Sequence, residues 1–152
     1  WYRLLILLLV VPGGAVLDVL LKSAFHRTRP ILEHPLVVLK SYSFPSGHTM
    51  GATLLYGLAA VFVYHRLTAW RGKVWLVATA SSIVFLVGLS RVALGAHFLS
   101  DVLGGAAAGL AWLALCVTAV ETLRRRRLTK SGIPPPSPSV ATGTTVKVRA
   151  HD

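Results

Sequence analysis

The chain has 152 residues, 54% of them hydrophobic and only 14% charged, with a mean hydropathy of +0.65. Soluble domains carry about a quarter charged residues, so this composition excludes an ordinary soluble fold and points to a membrane protein. The formal net charge of +11 does not imply nucleic acid, because no basic patch is interleaved with stacking aromatics on a soluble module.

Crossing a bilayer takes about 20 mostly apolar residues, and four stretches qualify: residues 2–21, 47–64, 74–89 and 98–123. All four are expected to be helices. Only helices and closed barrels satisfy the backbone in lipid, and none of the stretches alternates with the period of a barrel strand. The first contains Val-Pro-Gly-Gly at 11–14, which predicts a kink. The second follows directly on Pro-Ser-Gly-His at 45–48. In the fourth, Gly105 and Gly109 stand four apart and make a small-residue face for close helix packing. The one cysteine, Cys116, lies inside this last apolar run, so neither a disulfide nor a cysteine metal site is proposed. After Arg124 to Arg127 the composition changes to "SGIPPPSPSVATGTT", which cannot bury a core. We therefore expect a membrane domain over 1–128 and a disordered cytoplasmic tail over 129–152. The chain begins at Trp1 and its only methionine is Met50, so the natural start is expected upstream.

Arg3, Arg66, Arg71, Lys73 and Arg124 to Arg127 fall at one set of helix ends, which the positive-inside rule assigns to the cytoplasm. The opposite, outward side nevertheless carries Lys22, Arg27, Arg29, Lys40 and Arg91. Cations in excess on the cation-poor side call for a separate reason, and a bound anion supplies one.

Three segments line up on that outer face. In "KSAFHRTRP", Lys22 and Arg29 are seven apart and Pro30 closes the stretch. In "PSGH", Ser46 is placed to cap a helix and Gly47 lets the backbone approach a ligand. The first turn can then offer free N–H groups to an anion, with His48 beside them. In "SRVALGAHFLSD", His97 and Asp101 are four apart on one helical face. There the carboxylate can accept from one ring nitrogen and leave the other an unprotonated nucleophile. Arg91 adds a guanidinium fork suited to phosphate oxygens. The result is a phosphate cradle with two histidines. His26, His34, His65 and His151 read instead as ordinary interfacial residues, and Asp18 as a helix-surface partner of Lys22.

These segments resemble the three signature motifs of the type-2 phosphatidic acid phosphatase family, whose superfamily includes the vanadium haloperoxidases. Lys-x6-Arg-Pro is met at 22–30, Pro-Ser-Gly-His at 45–48 and Ser-Arg-x5-His-x3-Asp at 90–101. The resemblance implies an all-helical membrane bundle that hydrolyses a phosphomonoester or pyrophosphate without metal or cofactor. It also implies roles: His97 carries the phosphoryl group, Asp101 orients it and His48 protonates the leaving oxygen. Lys22, Arg29, Ser46, Gly47 and Arg91 hold the phosphate. Membrane members of the family have six helices, so the four here leave an N-terminal pair to be expected elsewhere. A site on the outer face of the plasma membrane suits a phosphorylated lipid, either a phosphatidate-type glycerolipid or a polyprenyl diphosphate, with a soluble phosphate ester as the other option. The competing class is a scaffold or transporter-like protein that keeps the fold but not the reaction. Its mark would be loss of a nucleophile or acid, and both His97 and His48 are present.

Overall fold

The computed structural model describes residues 2–30 and 41–130. They form four helices and no strand: α1 (Tyr2–Phe25), α2 (Gly47–Tyr64), α3 (Trp70–Ala93) and α4 (Leu99–Lys130). His34, Lys40, His151 and the expected tail from residue 131 onward lie outside the described residues.

The chain runs up and down. The C-terminal ends of α1 and α3 meet the N-terminal ends of α2 and α4, while Tyr2, His65 and Arg124 gather around a small cavity at the opposite end. The core lies between α1, α2 and α4 and is built from Ile6, Val10, Met50, Leu54, Leu58, Leu113, Cys116 and Val120. Helix α3 packs on α2 and α4 without touching α1, and Gly88 is its one buried residue. Large apolar side chains such as Leu4, Val19, Phe85 and Leu115 point outward. That costs nothing in lipid, where apolar surface needs no burial and close packing must hold helices together.

Three helices are long and apolar enough to cross a membrane: α1, α3 and α4. Helix α2, expected as a fourth span, is not among them. It has 18 residues, opens on the polar turn Gly-His-Thr, and packs against all three other helices. Pro12 does not divide α1, which continues for 24 residues. Helix α4 continues past the expected end of its span, so the arginine run is helical.

The small face of α4 lies directly against the backbone of α2. A Cβ added at Gly105 would lie 2.6 Å from the carbonyl oxygen of Ser46, and one at Gly109 would lie 3.1 Å from that of Met50. Glycine at 105 therefore lets the start of α4 lie directly on the first turn of α2. There Ser46 N–H donates to the Asp101 carbonyl at 2.9 Å.

Candidate active site

A layer of buried polar side chains marks this end of the bundle: Ser43, Ser46, Thr49, Thr53, His97 and Asp101. Beside it opens a cavity of about 800 Å³ whose polar end is lined by Lys22, Arg29, Ser41, Gly47, His48 and His97. The cavity continues between α1 and α2 along Val11, Ala15, Val19, Leu54 and Leu55. Five of the eight residues singled out in the sequence thus share one space: Lys22, Arg29, Gly47, His48 and His97. Ser46 and Asp101 are fully buried behind it. Arg91, in the last turn of α3, does not line it, and its Nε donates to Ser90 Oγ at 3.2 Å.

Arg29 arrives in the cavity because α1 ends sharply. His26 N–H donates to the Lys22 carbonyl at 3.1 Å, and His26 takes a left-handed φ of 46° that turns the chain back over the bundle. The Arg29 guanidinium then donates to the Ala96 carbonyl at 2.7 Å and the Ser41 carbonyl at 2.8 Å. Its Nη1 also lies 3.3 Å from His97 Nε2. A guanidinium has no acceptor to offer, so this contact requires the lone pair on Nε2 and the proton on Nδ1.

On the other side of the ring, His97 Nδ1 faces Asp101 Oδ2 at 3.6 Å. The direct hydrogen bond expected from the four-residue spacing is thus longer than bonding distance. The reason is competition: Oδ2 already accepts from the Ser43 hydroxyl and from Phe98 N–H at 2.9 Å. Burial lowers the pKa of His97, and the adjacent Arg29 charge pushes the same way. The Ser43 backbone and Asp101 oppose that shift, and Lys22 adds to it. The imidazole is therefore held neutral below the pH at which a free histidine would charge.

Lys22 and Gly47 lie together, with a companion. Both Asp18 oxygens lie 2.5 Å from Lys22 Nζ, and a Cβ at Gly47 would come within 3.1 Å of that pair. Asp18 is a helix-surface partner of Lys22, and it also lines the cavity. Ser46 stands at the N-cap of α2 but makes no side-chain cap. Its hydroxyl accepts instead from Thr49 Oγ1 at 3.1 Å. The first-turn amides of α2 thus keep the unsatisfied donors that every helix N-terminus presents.

Sequence reasoning did not single out Ser43 or assign Arg27 to the site, yet both hold Asp101. Arg27 Nη1 donates to Asp101 Oδ1 at 2.7 Å, and the Ser43 hydroxyl donates to Oδ2. Neither pairing follows a helical period, because 74 and 58 residues separate the partners.

The sequence profile of the PAP2 superfamily matches residues 3–125. Phosphatidylglycerophosphatase B of Bacillus subtilis is 41% identical over 124 residues, covering 81% of this chain and 61% of that protein. Bacitracin transport permease protein BcrC of Bacillus licheniformis is 35% identical over 81 residues, 53% of this chain and 32% of the relative. The crystal structure of a transmembrane PAP2-type phosphatidylglycerolphosphate phosphatase from Bacillus subtilis superposes with a TM-score of 0.69 at 41% identity. That match covers 78% of this chain and 59% of the other. The chain therefore spans about three fifths of the length of the relative it matches over the longest stretch. With the profile matched across all four helices and the fold shared with a solved member, the chain belongs to the PAP2 superfamily.

Proposed function

We propose that this protein is an integral-membrane lipid phosphate phosphatase that works through a phosphohistidine at His97. The observation that carries the reading is the shape of the cavity. Two cations, a helix N-terminus and two histidines stand at one end, and an apolar trough between α1 and α2 leads away from them. A phosphate fits the first part and a lipid tail the second.

The chemistry follows from the geometry. Lys22, Arg29 and the first-turn amides of α2 hold the phosphate oxygens, where the charge of a transferring phosphoryl group develops. His97 Nε2 attacks phosphorus in line, forming the P–N bond as the P–O bond to the lipid breaks. His48 gives its proton to the departing oxygen. Water then attacks the phosphohistidine with His48 as base, the P–N bond breaks, and inorganic phosphate leaves. Asp101 faces Nδ1–H throughout. No step calls on a metal, and no three His, Cys, Asp or Glu side chains converge among the described residues. A glycerolipid carrying a terminal phosphomonoester is the favoured substrate class, in keeping with the activity named for the 41% identical relative. A polyprenyl diphosphate is the second.

The full-length protein in detergent is expected to release phosphate from phosphatidate with EDTA present. Vanadate should compete, because it adopts the trigonal bipyramidal shape of the transferring group. Activity that vanishes in EDTA and returns with magnesium would refute the metal-free mechanism.

We place the site on the outer face of the plasma membrane, with the Arg124 to Arg127 end inside. Ser41 and Thr129 are both exposed, at opposite ends of the bundle. In a Cys116→Ala background, Ser41→Cys should react with an impermeant thiol reagent added to intact cells, and Thr129→Cys should not. The reverse pattern would put the site in the cytoplasm.

A further inference from the structure

In the sequence Arg27 is one more outer-face cation, between Lys22 and Arg29. The fold separates the three. Lys22 and Arg29 line the cavity, whereas Arg27 lies behind His97 and does not. Its Nη1 bridges Ser100 Oγ and Asp101 Oδ1, both at 2.7 Å, and its guanidinium sits 4.5 Å over the Phe98 ring. Its main chain acts as well: the Arg27 carbonyl accepts from Ser43 N–H at 2.8 Å, and the Ser43 hydroxyl donates to Asp101 Oδ2. One residue therefore binds one oxygen directly and ties down the backbone of the serine that donates to the other, on a carboxylate that has no exposure to solvent. A carboxylate so buried needs a partner of this kind, because breaking a buried pair is costly.

We propose that Arg27 is a positioning residue for the reaction: it holds Asp101 in place and offsets its charge, and through Asp101 it sets the tautomer and neutrality of His97. This rests on the reading of His97 as nucleophile. The charges facing the ring are Arg29 from the connection after α1, Lys22 from α1 and Asp101 from α4, with His48 of α2 lining the same cavity. Asp18 is paired with Lys22, and Arg91 lies outside the cavity. Arg27 is the cation that offsets Asp101 from behind.

The sign of the effect is fixed by this layout. His97 must be neutral to attack, so kcat/KM falls on the acidic side as the ring gains a proton. In the wild type that limb is expected below the ordinary imidazole value, because burial and the Arg29 charge lower the pKa of His97. In Arg27→Gln the negative charge of Asp101 is no longer offset and stabilises the imidazolium, so the limb moves up by about one pH unit.

The experiment measures kcat/KM for phosphatidate in detergent micelles from pH 4.5 to 8 with full-length protein, in wild type, Arg27→Gln, Arg27→Lys and both Arg27→Gln and wild type carrying Asp101→Asn. We expect the upward shift in Arg27→Gln, a limb left in place in Arg27→Lys with kcat/KM reduced, and no added shift from Arg27→Gln on Asp101→Asn. If Arg27→Gln does not fold, Arg27→Lys decides, since it keeps the charge but cannot bridge Ser100 and Asp101. A limb displaced in Arg27→Lys overturns the inference, as does a limb unmoved in a folded Arg27→Gln. A wild type whose acidic limb survives His97→Ala overturns the parent reading itself.

Discussion

His97→Ala is expected to lower turnover of a lipid phosphate by at least about 10³-fold and to remove any acid-labile phosphoenzyme, because the attacking nitrogen is gone and nothing replaces it. Of the described histidines, only His97 is buried among charged groups, with Arg29 at Nε2 and Asp101 facing Nδ1. His26 is the control. It is exposed, packs edge-to-face on Tyr42 with ring centroids 4.6 Å apart, and holds a left-handed turn that asparagine also accepts. His26→Asn should change turnover by less than about threefold, as expected of an exposed position outside the site. Trapping with radiolabelled substrate separates the two, and a labelled intermediate that persists in His97→Ala would remove His97 from the mechanism.

The second large effect is expected at an uncharged position. Gly105→Ala should destabilise the protein by about 1–3 kcal/mol, the usual range for an overpacked interior. It should also lower activity out of proportion to its chemistry. The added methyl would lie 2.6 Å from the Ser46 carbonyl and 3.4 Å from Met50 N, and both are backbone atoms that cannot swing aside. Relief must come from α4 moving off α2. That stretches the Ser46 N–H to Asp101 carbonyl bond, and with it the joint between the His97–Asp101 segment and the helix that carries His48. Gly72→Ala is the comparison. Its methyl would meet Leu67 at an ordinary 3.6 Å, so melting should not fall, and alanine's better helix propensity works in its favour. Thermal unfolding of the two variants in detergent tests the contrast, and equal melting temperatures would deny Gly105 its packing role.

Several features of the chain were legible in one dimension because local physics writes them there. Apolar runs of helix-spanning length marked the helices, and the second was placed at its observed bounds of Gly47–Tyr64. The spacing of Gly105 and Gly109 marked the face that α2 lies on, since residues four apart share one side of a helix. The motif spacings brought Lys22, Arg29, Gly47, His48 and His97 to one cavity. What the residues 22–30 would do one by one was not legible. Lys22, Arg27 and Arg29 are the same kind of residue in sequence, and only the left-handed turn at His26 sends Arg29 to Nε2 of His97 and Arg27 behind it to Asp101. The spacing of His97 and Asp101 put them on one face but did not set their distance. That is decided by Ser43 and Phe98 N–H, which compete for the same oxygen. Periodicity carries information over one or two turns, whereas the partners of a buried charge are chosen by whichever distant groups the packed helices bring within about 3 Å, and that choice exists only once the chain has folded.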